Sequence, residues 1–173
     1  IAVWNKPESG LLAKISNLLL RAESFLRDPA LQSVFAWKLS YGAWNAKFKP
    51  NRTVADWISQ DEGEVDKYVA DPLCGFEVSI SMWLDVLEGA LHSGRKENLC
   101  KIQQNLPIHL RSGSEDPCTN NGRDHKTFEK KLVELGMTNL DSKILDNTRH
   151  ESLNEWNRDT TTSDFISWLD KLF

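Results

Sequence analysis

The sequence predicts an α/β fold, and three observations carry that prediction. A short apolar run and a second strand-like stretch end in polar loops. Leu106, Pro107, Ile108 and Leu110 lead into Ser112-Gly113-Ser114-Glu115-Asp116-Pro117, and Asn139–Asn147 leads into Thr148-Arg149-His150-Glu151. Apolar runs that stop in Gly, Ser and Asp read as buried strands feeding loops. Between them Arg123–Leu135 has helical spacing, with Phe128, Leu132, Val133 and Leu135 on one side and Gly136 as its stop. Strand, helix, strand is the connection that parallel strands need.

In an open parallel sheet, ligands and catalytic groups collect where strands end. Asp116 and His150 are therefore the candidate residues. Each also has a plainer use: Asp116 suits a turn before Pro117, and His150 suits a solvated loop. Glu115 and Glu151 are weaker candidates; Glu151 could orient the histidine loop, but a surface role is the stronger expectation. His109 falls within the first strand, where a packing role is expected, and His92 and His125 join neither strand end.

The remaining elements follow in order. Residues 1–10 are expected to hold a strand end and a Pro7/Gly10 turn. Leu11–Leu26 is an amphipathic helix, with Leu11, Ile15, Leu18, Leu19, Ala22, Phe25 and Leu26 recurring at threes and fours, and Asp28-Pro29 stops it. Its cations Lys14, Arg21 and Arg27 leave room for weak membrane-surface contact, but helix packing is the stronger expectation. Residues 30–48 read as helical and aromatic, with Phe35, Trp37, Tyr41, Trp44 and Phe48. Ser59-Gln60-Asp61-Glu62 fits a capping box before the helix Glu62–Ala70. The acids Asp61, Glu62 and Glu64 suit that helix start better than a metal site, because no His or distant carboxylate pairs with them by spacing. Val78–Leu91 is a second amphipathic helix closed by Gly94. A last helix is expected over Ser163–Phe173, capped by Asp159 or a nearby Thr, with Phe165, Ile166, Trp168, Leu169 and Leu172 turned to the sheet.

With 173 residues, 40% of them hydrophobic, the chain has enough for one ordinary domain and its core. A net charge of −4 and no basic stripe argue against nucleic acid. No apolar run approaches the roughly 18 residues that span a bilayer. Cys74, Cys100 and Cys118 are odd in number and form no C-x-x-C, so free thiols in a cytoplasmic protein are expected, with no metal and no cofactor. Cys118 lies two residues past Asp116, but without a histidine partner in view a nucleophilic role carries little weight.

The run from Tyr41 to Phe76, YGAWNAKFKPNRTVADWISQDEGEVDKYVADPLCGF, resembles the cap of bacterial serine α/β-hydrolases of the monoacylglycerol lipase, lysophospholipase and serine aminopeptidase-like group. GSEDP and RHE resemble that family's acid and histidine loops. The resemblance implies the C-terminal part of an α/β-hydrolase fold: a strand end or linker at 1–10, a helical cap over 11–98, and a parallel-sheet remnant over 99–173. It implies Asp116 as catalytic acid and His150 as base. In place of the small and aliphatic residues usual after the acid stands Pro117-Cys118-Thr119-Asn120-Asn121-Gly122. The family nucleophile sits in G-x-S-x-G, and no serine among the 173 residues does. The chain therefore reads as the half of a hydrolase that holds acid, base and cap but not the nucleophile.

Two functions follow. One is a serine hydrolase of carboxylic esters, with monoacyl lipids as the implied substrates and an acyl-serine intermediate. The other is a non-catalytic, hydrolase-like binding module, in which an exposed sheet edge invites self-association or a partner chain.

Overall fold

The apolar spacing of Leu11–Leu26 becomes a helix, α1, over those residues. It is the first element of the computed structural model, which describes residues 11–173. The strand end expected within 1–10 lies outside the described residues. Helix α1 packs on α5 (Ile80–Ser93) through a core of Leu20, Ile80 and Leu87. Leu18, Phe25 and Leu26, expected on the packed stripe, are 68%, 89% and 79% exposed. The apolar face of α1 is wider than the surface that α5 and α2 cover. Buried Glu23 fastens its end, accepting from Ser33 Oγ at 2.6 Å and Arg27 at 2.5 Å.

The helix expected over 30–48 begins only at α2 (Val34–Trp37). It continues through a π turn (Lys38–Gly42), α3 (Ala43–Asn45) and a 3₁₀ turn (Ala46–Phe48). Such a widened turn changes which side chains face inward. Here Tyr41, Trp44 and Phe48 pack around buried Trp57, Ala55, Ile58 and Val65, while Phe35 is 56% exposed. Asp56 organises the loop before Trp57, accepting from the backbone of Arg52 at 2.7 Å and of Thr53 at 2.9 Å. Burial pushes the Asp56 carboxyl up, and the bonds from Thr53, Arg52 and Asn51 outweigh it and hold the group below the ordinary aspartate value.

Helix α4 (Glu62–Ala70) is capped by Asp61, whose Oδ1 accepts from the N–H groups of Gly63 and Glu64. Ser59, expected as the cap, donates instead to the Asn154 carbonyl at 2.9 Å. Helix α5 starts two residues later than expected because Ser79 is its N-cap, accepting from Met82 N–H at 3.2 Å. A short α6 (Lys96–Leu99) follows.

The strands are β1 (Ile108–Gly113) and β2 (Leu140–Leu145), joined by α7 (Arg123–Glu134). They pair in parallel, with Ile108 opposite Leu140 and Gly113 opposite Leu145. Leu106, expected to open the first strand, lies before it and is 46% exposed. Leu99, Leu132 and Met137 form the core beneath them. Arg111 ties three elements together, donating to Asp141 at 3.1 Å and to Asp164 on α8 at 2.8 Å.

Helix α8 (Arg158–Leu169) begins five residues before the expected Ser163 and stops before the chain end. Its first turn follows Asn157, which offers no side-chain cap. Phe165 and Trp168 pack on His109 of β1, with ring centroids 5.3 and 4.9 Å away. Ile166, also expected to face the sheet, is half exposed.

The end of β1 is crowded. A Cβ on Gly113 would overlap the carbonyl oxygens of Thr148 and Arg149, both backbone atoms that cannot swing aside. Gly113→Ala should therefore lower the free energy of unfolding by about 3 kcal/mol or more in urea titration. A loss below about 0.5 kcal/mol would contradict this close approach.

Candidate active site

Both strand ends deliver their loops to one place. Beyond Gly113, Ser114 N–H donates to Leu145 and Glu115 N–H to Thr148, each at 2.9 Å. The loop after β1 is thus bonded to the loop after β2. Asp116 is 2% exposed. Its Oδ1 accepts from Cys118 N–H at 2.8 Å, an Asx turn that fixes the carboxylate. The chain then turns through Asn120, Asn121 and Gly122 at φ of 56°, 57° and 78°. Asn and Gly are the residues that tolerate this left-handed conformation, so the unusual Asn-Asn-Gly is what lets the loop enter α7.

The structure brings Asp116 and His150 together, with His150 Nδ1 3.1 Å from Asp116 Oδ1. A carboxylate only accepts, so Nδ1 carries the proton and Nε2 offers a lone pair. The imidazole lies beside Trp57, ring centroids 4.9 Å apart, and its side chain keeps 32% of its exposure. It opens on a cavity of about 450 Å³. Tyr41, Trp44, Trp57, Trp83 and Phe128 supply the cavity's aromatic wall. Burial and the nearby Cys118 thiol push the Tyr41 phenol up, so it stays protonated. The arrangement is an imidazole held by a buried carboxylate at the edge of an aromatic cavity.

The other candidates make no hydrogen bond with this pair: Glu151 also lines the cavity, but it is engaged elsewhere. Glu115 accepts from Gln60 Nε2 at 3.3 Å, and Glu151 accepts from Asn154 at 2.8 Å. His92 is exposed near the end of α5, and His109 is packed under α8. Donor atoms of Asp116, Cys118 and His150 lie within 4.8 Å of one another, a grouping of metal-ligand types that the sequence reading did not anticipate. Cys74, Cys100 and Cys118 form no disulfide.

Two supporting residues escaped the sequence reading. Glu155 is fully buried within a stretch read as irregular. It accepts from the backbone of Arg149 at 2.7 Å and of Gln60 at 3.1 Å, so it orients the histidine loop, a role weighed for Glu151. His125, in the first turn of α7, is buried against both strands. Its Nδ1 meets Ser112 Oγ and its Nε2 meets Ser142 Oγ, each at 2.9 Å. One serine in each strand, on the otherwise apolar face that α7 covers, was the available signal: Ser112 in β1 and Ser142 in β2.

Parallel strands whose end loops pair an Asp with a His beneath a helical half define an α/β-hydrolase. The chain belongs to the serine aminopeptidase S33 family, whose model matches residues 13–157. Among solved structures it is similar to a highly thermostable carboxyl esterase from Bacillus coagulans in complex with glycerol, with a TM-score of 0.83 and 20% identity over 97% of this chain and 55% of that one. A lipase in its open form gives a TM-score of 0.74 and 21% identity over 89% of this chain and 50% of that one. A Paleococcus ferrophilus monoacylglycerol lipase gives 0.59 and 17% identity over 97% and 55%. The chain thus spans about half the length of the solved structures it matches. No curated protein matches the sequence.

His125 gives the site a pH signature. Burial, with Arg111 and Lys126 nearby, holds its imidazole below the ordinary value of 6.5 despite the opposing pull of Glu129. The unfolded chain takes up this proton at the ordinary value and the folded chain only lower, so stability should fall as pH drops from 6.5 towards the folded value. His109, also lowered by burial and by Arg111, adds to the same slope. Unfolding free energies measured across this range should show a shallower slope in His125→Gln. An unchanged slope would contradict a buried, neutral His125.

Proposed function

We propose that this chain supplies the acid, the base and the substrate-covering cap of a serine hydrolase acting on carboxylic esters. The observation that carries this reading is the Asp116–His150 contact of 3.1 Å at the edge of the aromatic cavity. Asp116 holds the imidazole in the tautomer whose Nε2 faces outward and steadies the imidazolium once it forms. His150 takes the proton of the attacking serine and returns it to the leaving alcohol. The serine comes from a segment outside these 173 residues, since none of their serines lies in G-x-S-x-G. Acyl transfer then proceeds in two halves, through an acyl-serine that water hydrolyses.

Residues 11–98 form the cap in this reading. Tyr41, Trp44, Trp57 and Trp83 line the cavity as an acyl pocket would, which favours esters with an apolar acyl group, such as monoacyl lipids. The exposed Leu18, Phe25 and Leu26 of α1 support weak contact with a lipid surface.

The test uses the uninterrupted reading frame that contains this chain. A fluorophosphonate should label a serine outside the 173 residues, and aryl and monoacylglycerol esters should turn over. Asp116→Asn and His150→Ala should each lower kcat by roughly a thousandfold or more. His92→Ala should leave it unchanged. Full turnover in His150→Ala would overturn the assignment, and no labelling and no turnover in the frame would favour a non-catalytic binding module.

A further inference from the structure

We propose that Asp116, Cys118 and His150 form an inhibitory site for a soft divalent cation of the zinc class. Each offers a donor atom within 4.8 Å of the other two. Carboxylate oxygen, thiolate sulfur and imidazole nitrogen are the set from which zinc sites are built. Donors sharing a tetrahedral zinc sit roughly 3.3 to 3.8 Å apart, given bonds of about 2.0 to 2.3 Å. Closure therefore needs a movement of about an ångström. Two of the donor residues are already tied together through the Cys118 backbone. Cys118 N–H bonds Asp116 Oδ1 at 2.8 Å, and both residues are buried. The third, His150, is the partly exposed one and borders the cavity, which gives the ion its entry path and leaves a fourth position for water.

The nitrogen nearest the carboxylate is Nδ1, 3.1 Å from Asp116 Oδ1. The ion would enter between those two atoms, in the place of the Nδ1 proton. That proton reappears on Nε2, the Cys118 thiol gives its proton to solvent, and one proton is released per ion bound with no change of oxidation state. An imidazole protonated at Nε2 has no lone pair there to accept a proton. Metal and general base thus exclude one another. The inhibition rests on the function proposed above, whereas the binding does not.

Cadmium is the probe, because its bond to a thiolate adds an ultraviolet charge-transfer band. The chain is titrated with Cys74 and Cys100 replaced by Ser, so that Cys118 is its one thiol. One cadmium should bind per chain with a saturable band that zinc displaces. Cys118→Ser should abolish the band, and His150→Ala should weaken binding at least about tenfold. The wild-type chain against Cys118→Ser gives the same comparison if the double replacement unfolds. No saturable band from folded protein, or equal affinity in His150→Ala, would overturn the site. Binding as described in a full-length enzyme that zinc fails to inhibit would instead overturn the catalytic reading of His150.

Discussion

A fully buried carboxylate, Glu155, is the constraint on which the rest of the site depends. An isolated buried charge is costly, by several kcal/mol even after relaxation, unless hydrogen bonds replace its lost water. Glu155 finds them on the backbone. Oε1 accepts from Arg149 at 2.7 Å, and Oε2 accepts from Gln60 at 3.1 Å and Trp156 at 3.3 Å. One donor belongs to the helical half and two to the loops after β2, so the carboxylate joins the two halves. Arg149 reinforces the seam, donating to the carbonyls of Asp56 and Ser59 and lying 4.1 Å over the Phe48 ring. Glu151 N–H adds a bond to the Ile58 carbonyl at 2.9 Å.

His150 stands between those anchored neighbours, so its ring position follows from backbone bonds on both sides. Trp57, next to Ile58 on the other side of the seam, lies tilted against the ring, while Asp116 approaches from the end of β1. The acid is fixed independently, by its Asx turn and by the left-handed run through Asn120, Asn121 and Gly122. Ser112 and Ser142, clamped on His125, hold the two strands in step with α7 just below. Two preorganised loops therefore meet with little freedom left to lose, which is the condition for effective proton transfer.

Much of this was legible in the chain. The helical spacing of Leu11–Leu26 and the capping and acid-rich start of Glu62–Ala70 are strong signals, and both helices keep the expected bounds. The strand ends pointed to Asp116 and His150 because loops at strand ends stay within reach of a ligand while the sheet holds them still. The parts that were missed depend on long-range contacts. Glu155 carries no local signal, since its partners Gln60 and Arg149 come together only after the halves dock. Ser59 looked like a helix cap until Asn154, 95 residues along the chain, offered a better acceptor. The start of α8 was misplaced because Asn157 precedes it without a side-chain cap, leaving no N-terminal marker to read. Phe25 and Leu26 show the limit of periodicity: spacing tells which residues share a face, not whether a neighbour covers it.

The account turns on the tautomer of His150. Long-range nitrogen–proton correlation spectra of the imidazole, recorded on folded protein at a pH where the ring is neutral, read it directly. The structure requires the Nδ1–H form, with Nε2 unprotonated, and a shift of population towards Nε2–H in Asp116→Asn. A neutral ring already in the Nε2–H form in the wild type would mean that Asp116 does not hold it, and the acid–base pair at the centre of this structure would fall.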